Sequence, residues 1–351
     1  VIRQHDANGR NTVLSLASGR SMRDLFAELV RLHKEEGLSF KNVIVFGSYE
    51  FYPLSDASLG SMAQIQSQLL DHVDIQAENV YTFPLDLPRE TVFSFCEEYE
   101  KTIAQVGGID IQVLGIGQCG NIAMNEPGTQ SNSYTRLVIM DKNSRMDVKS
   151  LFGNAEQVPN CAITLGINTI LQAKEVILMA FGQHKASIVK QAIEEVVSAT
   201  CPASYLQLHK KASFVLDLDA ANKLTRINHP WKVTNCEWTD QLVRRAVVWL
   251  CEQTQKPILK LTNKDYNDFG LSELITKFES AYNCNIKVFN DLQHTITGWP
   301  GGKPNADDSN RPERANPFPK DVVIFSPHPD DDVISMGGTF QRLIKQGHNV
   351  H

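Results

Sequence analysis

Apolar residues along the first two thirds of the chain fall into two rhythms that take turns. Val13-Leu14-Ser15-Leu16 is a compact run of buried character that breaks into a small-residue loop, Ala17-Ser18-Gly19-Arg20-Ser21. Immediately afterwards Met22, Leu25, Phe26, Leu29 and Val30 recur at helical spacing. The alternation repeats. Val43-Ile44-Val45-Phe46 predicts a strand, and the stretch from Leu59 to Leu70 predicts a helix with Met62, Ile65 and Leu69 turned inward. A helix over Val92–Val106 ends at Gly107-Gly108, and Ile109 to Leu114 reads as the next strand. Val176–Phe181 (strand), Lys185–Ser198 (helix) and Phe214-Val215-Leu216 (strand) complete the pattern. Strands and helices in this order predict an α/β fold, a Rossmann-like, mostly parallel sheet with helices on both faces. Such sheets bind ligands at the carboxyl ends of their strands. The loops at 17–21, 47–54, 115–126 and 182–185 all lie there.

The pattern changes near residue 226. A first domain is therefore expected over 1–225 and an extension packed on it over 226–296, with helices at Gln241–Cys251 and Leu271–Phe278. Residues 297–319 are rich in Gly, Pro, Asn, Asp and Arg and read as a linker. Val322-Val323-Ile324-Phe325 then starts a new strand in a segment, 320–351, that stops soon after. With Val1 rather than Met at the start, we expect a fragment of a longer chain.

Composition narrows the partners. The net charge of −6 points to neither nucleic acid nor an anionic membrane. The sequence has no run of roughly 18 apolar residues of the kind a membrane-spanning helix needs. Seven cysteines at wide spacing, with no Cys-x-x-Cys pair, suggest reduced thiols and a cytoplasmic location.

Two loops carry candidate chemistry. Ser18-Gly19-Arg20-Ser21 sits between a strand and a helix, where free N–H groups, two hydroxyls and a guanidinium suit a phosphate. A capped strand–helix turn would use the same residues. Lys185 could add a cation from a neighbouring strand end, although by itself it reads first as a solvated helix-start lysine. Gly115, Gly117 and Gly120 mimic a dinucleotide-binding glycine pattern, with Asp141 further on. Pro127 leaves too little helix after them for that reading.

The run Gly115-Ile116-Gly117-Gln118-Cys119-Gly120-Asn121-Ile122-Ala123-Met124-Asn125-Glu126-Pro127 resembles the signature of glucosamine-6-phosphate deaminases, Gly-x-Gly-x-Asp-Gly-His-Ile-Ala-Phe-Asn-Glu-Pro. Asp71-His72-Val73-Asp74-Ile75, Thr164-Leu165-Gly166 with Ala173-Lys174-Glu175-Val176, and Leu206-Gln207-Leu208-His209 match the same family in order. The resemblance spans 11–225. It implies binding of a hexose or hexosamine 6-phosphate such as glucosamine 6-phosphate, no cofactor in this domain, and a homo-oligomer. The family converts glucosamine 6-phosphate to fructose 6-phosphate and ammonia. By that resemblance Ser18, Gly19, Arg20, Ser21 and Lys185 hold the phosphate, and Arg136 matches an effector-site arginine whose lysine companion falls on Val138. The phosphate-binding arginine position falls on Ser150, beside Lys149.

The catalytic positions differ from the family's. Its proton-transferring Asp falls on Tyr49, the Asp of Asp-Gly-His on Cys119 and the His on Asn121, while Glu126 is kept. Tyrosine ionises near pH 10 and asparagine not at all, so deaminase turnover is expected to be weak or lost. An active deaminase, isomerase or lactonase using Glu126 and Glu50, with or without Tyr49, is the alternative, and a purely structural partner surface is a third. Cys119 could be a nucleophile or simply fill space.

Ser326-Pro327-His328-Pro329-Asp330-Asp331-Asp332, followed by Gly337-Gly338-Thr339, resembles the opening of zinc-dependent sugar N-deacetylases. The resemblance makes His328 and Asp331 zinc ligands and Asp330 the base, with the third ligand missing from this segment. Zinc is thus expected only in a complete deacetylase domain.

Overall fold

The computed structural model describes residues 1–154, 156–293, 321–345 and 347–351. The chain divides into two compact units, Val1–Asn228 and His229–His351. The linker expected at 297–319 lies outside the described residues.

The first unit begins with α1 (Ile2–Ala7), β1 (Thr12–Leu16), α2 (Arg23–Glu36), β2 (Val43–Gly47), β3 (Tyr49–Tyr52), α3 (Ser61–Gln68) and β4 (Val80–Tyr81). It continues through α4 (Val92–Gln105), β5 (Ile111–Gly115), β6 (Arg136–Ile139), α5 (Lys142–Phe152), β7 (Cys161–Thr164) and α6 (Ile167–Leu171). It closes with β8 (Glu175–Ala180), α7 (Ala186–Glu194), β9 (Ala212–Leu216), α8 (Leu218–Ala221) and α9 (Thr225–Asn228). Six strands form one parallel sheet in the order β4-β2-β1-β5-β8-β9.

The continuous apolar runs of these strands follow from burial on both faces. Side chains alternate across a strand. Val13, Ile44, Phe46, Leu114 and Leu178 enter one core, with Val92, Cys96 and Tyr99 of α4 and Ile188 and Val189 of α7. Leu14, Leu16, Val45, Val113 and Met179 enter the other, with Met22 and with Phe26 of α2 and Ile65 of α3. Phe26 and Ile65 are fully buried, and each such side chain stabilises the fold by about 1.5–3 kcal/mol. The sheet is doubly covered, as the periodicity predicts.

Strand order runs outward from β1 in one direction through β2 and β4, and in the other through β5, β8 and β9. The switch point lies between β1 and β5, where a crevice opens at the carboxyl ends. The loops after these two strands are the two that carry the candidate chemistry.

A second, antiparallel sheet, β3-β7-β6, was not expected from the sequence. The chain leaves the main sheet after Gly47, and Ser48 is bridged to Leu16 and Leu165 before β3 begins. This sheet and α5 share a separate core of Tyr49, Phe51, Met124, Met140, Phe152, Val158 and Ala162. The helix expected from Lys185 to Ser198 stops at Glu194, where the chain turns extended.

In the second unit, α10 (Asp240–Thr254), α11 (Asn263–Asp268), α12 (Ser272–Phe278) and α13 (Ala281–Gln293) pack around Val247, Leu250, Tyr266, Leu271 and Cys284. The segment from 321 onward pairs β10 (Asp321–Val322) with β11 (Asn349–Val350) in parallel, around helices Asp331–Ile334 and Gly337–Lys345. The strand expected over 322–325 is shorter than predicted. Among the described residues no helix is long and apolar enough to cross a membrane.

Candidate functional site

The loop after β1 turns on Gly19, whose φ of 122° is accessible only to glycine without strain. That turn starts the helical segment Arg20–Met22, which continues into α2. The first amides of this segment have no carbonyl one turn back, so their N–H groups point out of the sheet end. Arg20 reaches over to α5, where its Nη2 donates to Ser150 Oγ at 3.4 Å. Ser18 is held from behind. Its Oγ lies 2.9 Å from Tyr49 Oη and accepts from Ser61 Oγ at 2.9 Å.

Tyr49 therefore faces the phosphate-loop candidate. Burial is the main influence on its phenol and pushes the pKa above the usual tyrosine value, while the bonds to Ser18 and Ser61 pull it down. Its hydroxyl is a neutral hydrogen-bonding group that sets the Ser18 rotamer.

Glu50, the next residue, points elsewhere. Its Oε1 accepts from the N–H groups of Phe51 at 2.9 Å and Ser61 at 2.7 Å, and its Oε2 from Met62 N–H at 2.9 Å. The carboxylate thus serves the open amides at the start of α3, a role that helix geometry favours for an anion. Burial raises its pKa, against the opposing pull of the three amides. At 2% exposure it has no open face for a ligand.

The loop after β5 carries the glycine pattern. It does not open a helix; Ile122 and Asn125 bridge to each other instead, with Ala123 at a left-handed φ of 48°. A dinucleotide cradle is thereby absent from this loop. Asn121 is nearly buried and packs back onto the loop: a Cβ on Gly117 would sit 1.9 Å from its Oδ1. Asn125, fully buried, is fixed by Leu165 O, Ile122 O and Arg136.

Glu126 is half-buried. Its Oε1 accepts from Asp141 N–H at 3.1 Å and its Oε2 from Ser144 Oγ at 2.8 Å. Burial foremost, then the charges of Asp141 and Asp147, raise its pKa, against the pull of the two hydrogen bonds. Cys119 is half-buried and takes a hydrogen bond from Asn143 Nδ2 at 3.6 Å.

Lys185 follows Gly182, whose N–H is gripped by both carboxylate oxygens of Asp217. The lysine is half-buried, and burial lowers its pKa while the nearby Asp147 and Cys119 raise it. Among the described residues its Nζ has no hydrogen-bond or salt-bridge partner.

The structure thus gathers Ser18, Gly19, Arg20, Ser21 and Tyr49 at one strand end, and Cys119, Glu126 and Lys185 around the next. Glu50 and Asn121 are adjacent but turned away. Sequence reasoning predicted no helix at α5, although the resemblance placed the phosphate-binding arginine position on its Ser150. Its Asn143, Ser144, Asp147 and Ser150 touch Cys119, Glu126, Gln118 N and Arg20 respectively. The polar spacing of 143, 147 and 150, at i, i+4 and i+7, was the signal available.

Arg136 lies outside this group. It donates to Asn125 Oδ1 at 3.0 Å and Thr129 Oγ1 at 3.3 Å, and burial lowers its pKa. With Arg89, Val92, Phe93, Cys96 and Leu137 it lines a cavity of about 240 Å³ beside α4 and β6. At the far end of the sequence, His328 Nδ1 and Asp331 Oδ2 bond to each other at 2.9 Å. Among the described residues no three His, Cys, Asp or Glu side chains gather to hold a metal. A catalytic zinc takes three protein ligands, so the residues present do not fit one.

Residues 1–215 match the family described as glucosamine-6-phosphate isomerases/6-phosphogluconolactonases. A glucosamine-6-phosphate deaminase-like protein of Bacteroides thetaiotaomicron is 58% identical over 352 residues, covering 100% of this chain and 53% of that protein. The chain thus spans about half the length of that relative. A glucosamine-6-phosphate deaminase of Shewanella halifaxensis is 39% identical over 216 residues, covering 61% of this chain and 81% of its own length. The solved structure of a monomeric glucosamine-6-phosphate deaminase is 32% identical with a TM-score of 0.58, covering 61% of this chain and 88% of the other.

Proposed function

We propose that this chain, which belongs to the glucosamine-6-phosphate isomerase/6-phosphogluconolactonase family, binds a hexose or hexosamine 6-phosphate in the crevice between β1 and β5 and turns it over weakly or not at all. One observation carries the reading: Lys185 is a half-buried ammonium with no protein partner for its Nζ among the described residues. A charge removed from water without a partner is costly. A phosphate held on the open amides at the Gly19 turn, with Arg20 beside it, would repay that cost.

Weak turnover follows from the polar groups around the sugar position. Carbon-acid chemistry needs a base that titrates near the working pH and reaches the proton. Tyr49 is kept neutral by burial, Asn121 cannot carry a proton, and Glu50 is consumed by three amides. Glu126 supports a second reading, an active deaminase or related isomerase or lactonase, because burial lifts its pKa toward the range useful for acid–base work.

Calorimetric titration with glucosamine 6-phosphate, beside an ammonia-release assay on the same sample, tests both. Binding without ammonia supports the first reading. Turnover well above background that is lost in Glu126→Gln supports the second. No binding of any sugar phosphate would leave a structural role.

We further propose a cytoplasmic homo-oligomer that needs no cofactor in the sugar-phosphate domain, with Arg136 as part of an effector site. The deacetylase-like reading of 320–351 rests on its sequence motif alone, in which the resemblance makes His328 and Asp331 zinc ligands and Asp330 the base. Copurification of zinc with a protein carrying this segment, lost on His328→Ala, would support it.

A further inference from the structure

Helix α5 lays one polar stripe across both loops of the crevice. Ser150 meets Arg20 at 3.4 Å, Asp147 Oδ2 accepts from Gln118 N–H at 3.3 Å, and Asn143 bonds Cys119 Sγ at 3.6 Å. Residues three and four apart on a helix are neighbours. The carboxylate of Asp147 is therefore one helical turn from the residue that touches the phosphate-loop guanidinium, on the side toward Cys119.

Three carboxylates besides Asp147 lie around the crevice, and each is held by hydrogen bonds of the fold, Asp141 through one of its two oxygens. Glu50 serves three amides, Glu126 serves Asp141 N–H and Ser144, and Asp141 caps α5 through Asn143 N–H. Asp147 is exposed and takes a single long hydrogen bond on one oxygen, with no partner for the other among the described residues. Its charge is felt by Lys185, yet no salt bridge joins the two among the described residues. The crevice thus has separate cationic and anionic poles within one ligand's reach.

We propose that Asp147 is the specificity-determining residue of the site: its free carboxylate oxygen receives a cationic substituent on the sugar, so that an amino-sugar phosphate is selected over a neutral sugar phosphate. This rests on the reading of the crevice as a sugar-phosphate site. A zwitterionic ligand places its phosphate on the Lys185 pole and its ammonium on Asp147. A neutral hexose phosphate claims the Lys185 charge and leaves Asp147 facing hydroxyls.

The experiment compares glucosamine 6-phosphate with glucose 6-phosphate, which differ only in amine against hydroxyl at C2. Each is titrated into the full chain and into its Asp147→Asn and Asp147→Glu variants. A partly exposed ion pair supports a preference of about fivefold for the amino sugar, shrinking as salt is raised. Asp147→Asn should abolish the preference by weakening the amino sugar alone, and Asp147→Glu should keep most of it. Circular dichroism verifies that each variant is folded. Equal affinities in the unsubstituted chain, or a preference that survives Asp147→Asn, overturn the assignment and leave the sugar-phosphate reading standing. Failure of both ligands to bind overturns that reading and this inference together.

Discussion

At the Lys185 end of the crevice a half-buried ammonium and the first amides of a helical segment have donors to spare, whereas at the Glu50 end both carboxylate oxygens are already taken by backbone N–H groups. Both ends carry charge at least partly withdrawn from bulk water, and only one has spent it on the fold. An unspent buried charge is a cost that a ligand can remove. A spent one stabilises the fold, and a ligand could reach it only by breaking what it holds. The contrast predicts opposite signatures. Glu50→Ala should leave the amides of Phe51, Ser61 and Met62 without an acceptor and destabilise the chain by about 3 kcal/mol, visible as a large fall in the denaturation midpoint. The folded fraction should still bind sugar phosphate. A variant of undiminished stability that no longer bound ligand would reverse the assignment and make Glu50 a ligand-contacting group.

Lys185→Met should do the reverse. Removing a charge-assisted contact to phosphate weakens binding roughly 10- to 100-fold. Thermal stability should hold or rise slightly, because an ammonium with no protein partner leaves a half-buried position. Calorimetry and a melting curve on the same preparation read both quantities. Unchanged affinity for glucosamine 6-phosphate would show that the phosphate sits elsewhere.

The difference between the two ends also explains what could be read from the sequence. β1, β2, β5 and β8 were legible because strands covered on both faces leave continuous apolar runs such as Val43–Phe46. The Gly19 loop was legible because a small-residue break between a strand and a helix is local. Glu50 was not, because its partners Ser61 and Met62 lie on another element and no local capping pattern announces them. The small antiparallel sheet was hidden for a related reason. Tyr49–Tyr52 follows β2 after the single residue Ser48 and falls inside the 47–54 stretch that reads as a loop, because Gly47, Ser48 and Glu50 interrupt the apolar run. Helix α5 buries only Ser144 and Phe152, which gives almost no apolar period to find. The residues it brings to the site, Asn143, Asp147 and Ser150, are polar positions whose meaning comes from the loops beneath them. The glycine pattern misled through the opposite fault: its local spacing is that of a dinucleotide loop, but Asn121 folds back on Gly117 where a helix would have to start.

Tyr49 lies between the two ends and can sharpen the division. Its hydroxyl is tied to Ser18, which Ser61 also holds, so Tyr49→Phe removes one buried hydrogen bond at a cost of about 1 kcal/mol. Ser18 keeps its second tether, and affinity for a sugar phosphate should move by less than the Lys185 variant moves it. A loss of binding as large as that of Lys185→Met, in a chain that still melts cooperatively, would place the phenol on the ligand instead of behind it.

Glu126 supplies the smallest and most diagnostic effect, through pH. Burial, with Asp141 and Asp147 adding to it, raises its pKa in the folded state above the reference value of 4.5, so the native chain holds a proton there that the unfolded chain releases. A group shifted in that direction contributes stability that is fully present below 4.5 and is lost as pH rises through the folded pKa. Glu50 is raised in the same direction and must be separated from it. Glu126→Gln does so, because glutamine keeps the shape, cannot titrate, and leaves Glu50 in place. The stability of the unsubstituted chain relative to Glu126→Gln should therefore fall as pH climbs from 4.5, and level off once Glu126 is ionised in the folded state. Denaturant titrations of both proteins at a series of pH values measure that difference directly. If it stayed flat, Glu126 would be as solvated as an ordinary surface carboxylate, and the Asp141 and Ser144 contacts would not hold it in the half-buried position from which it could serve as an acid. If instead the difference grew with pH, the two hydrogen bonds would outweigh burial. The carboxylate would then be held ionised as a hydrogen-bond acceptor, the crevice would have no group poised to move a proton, and the reading of this site as one that binds without turnover would gain its strongest support.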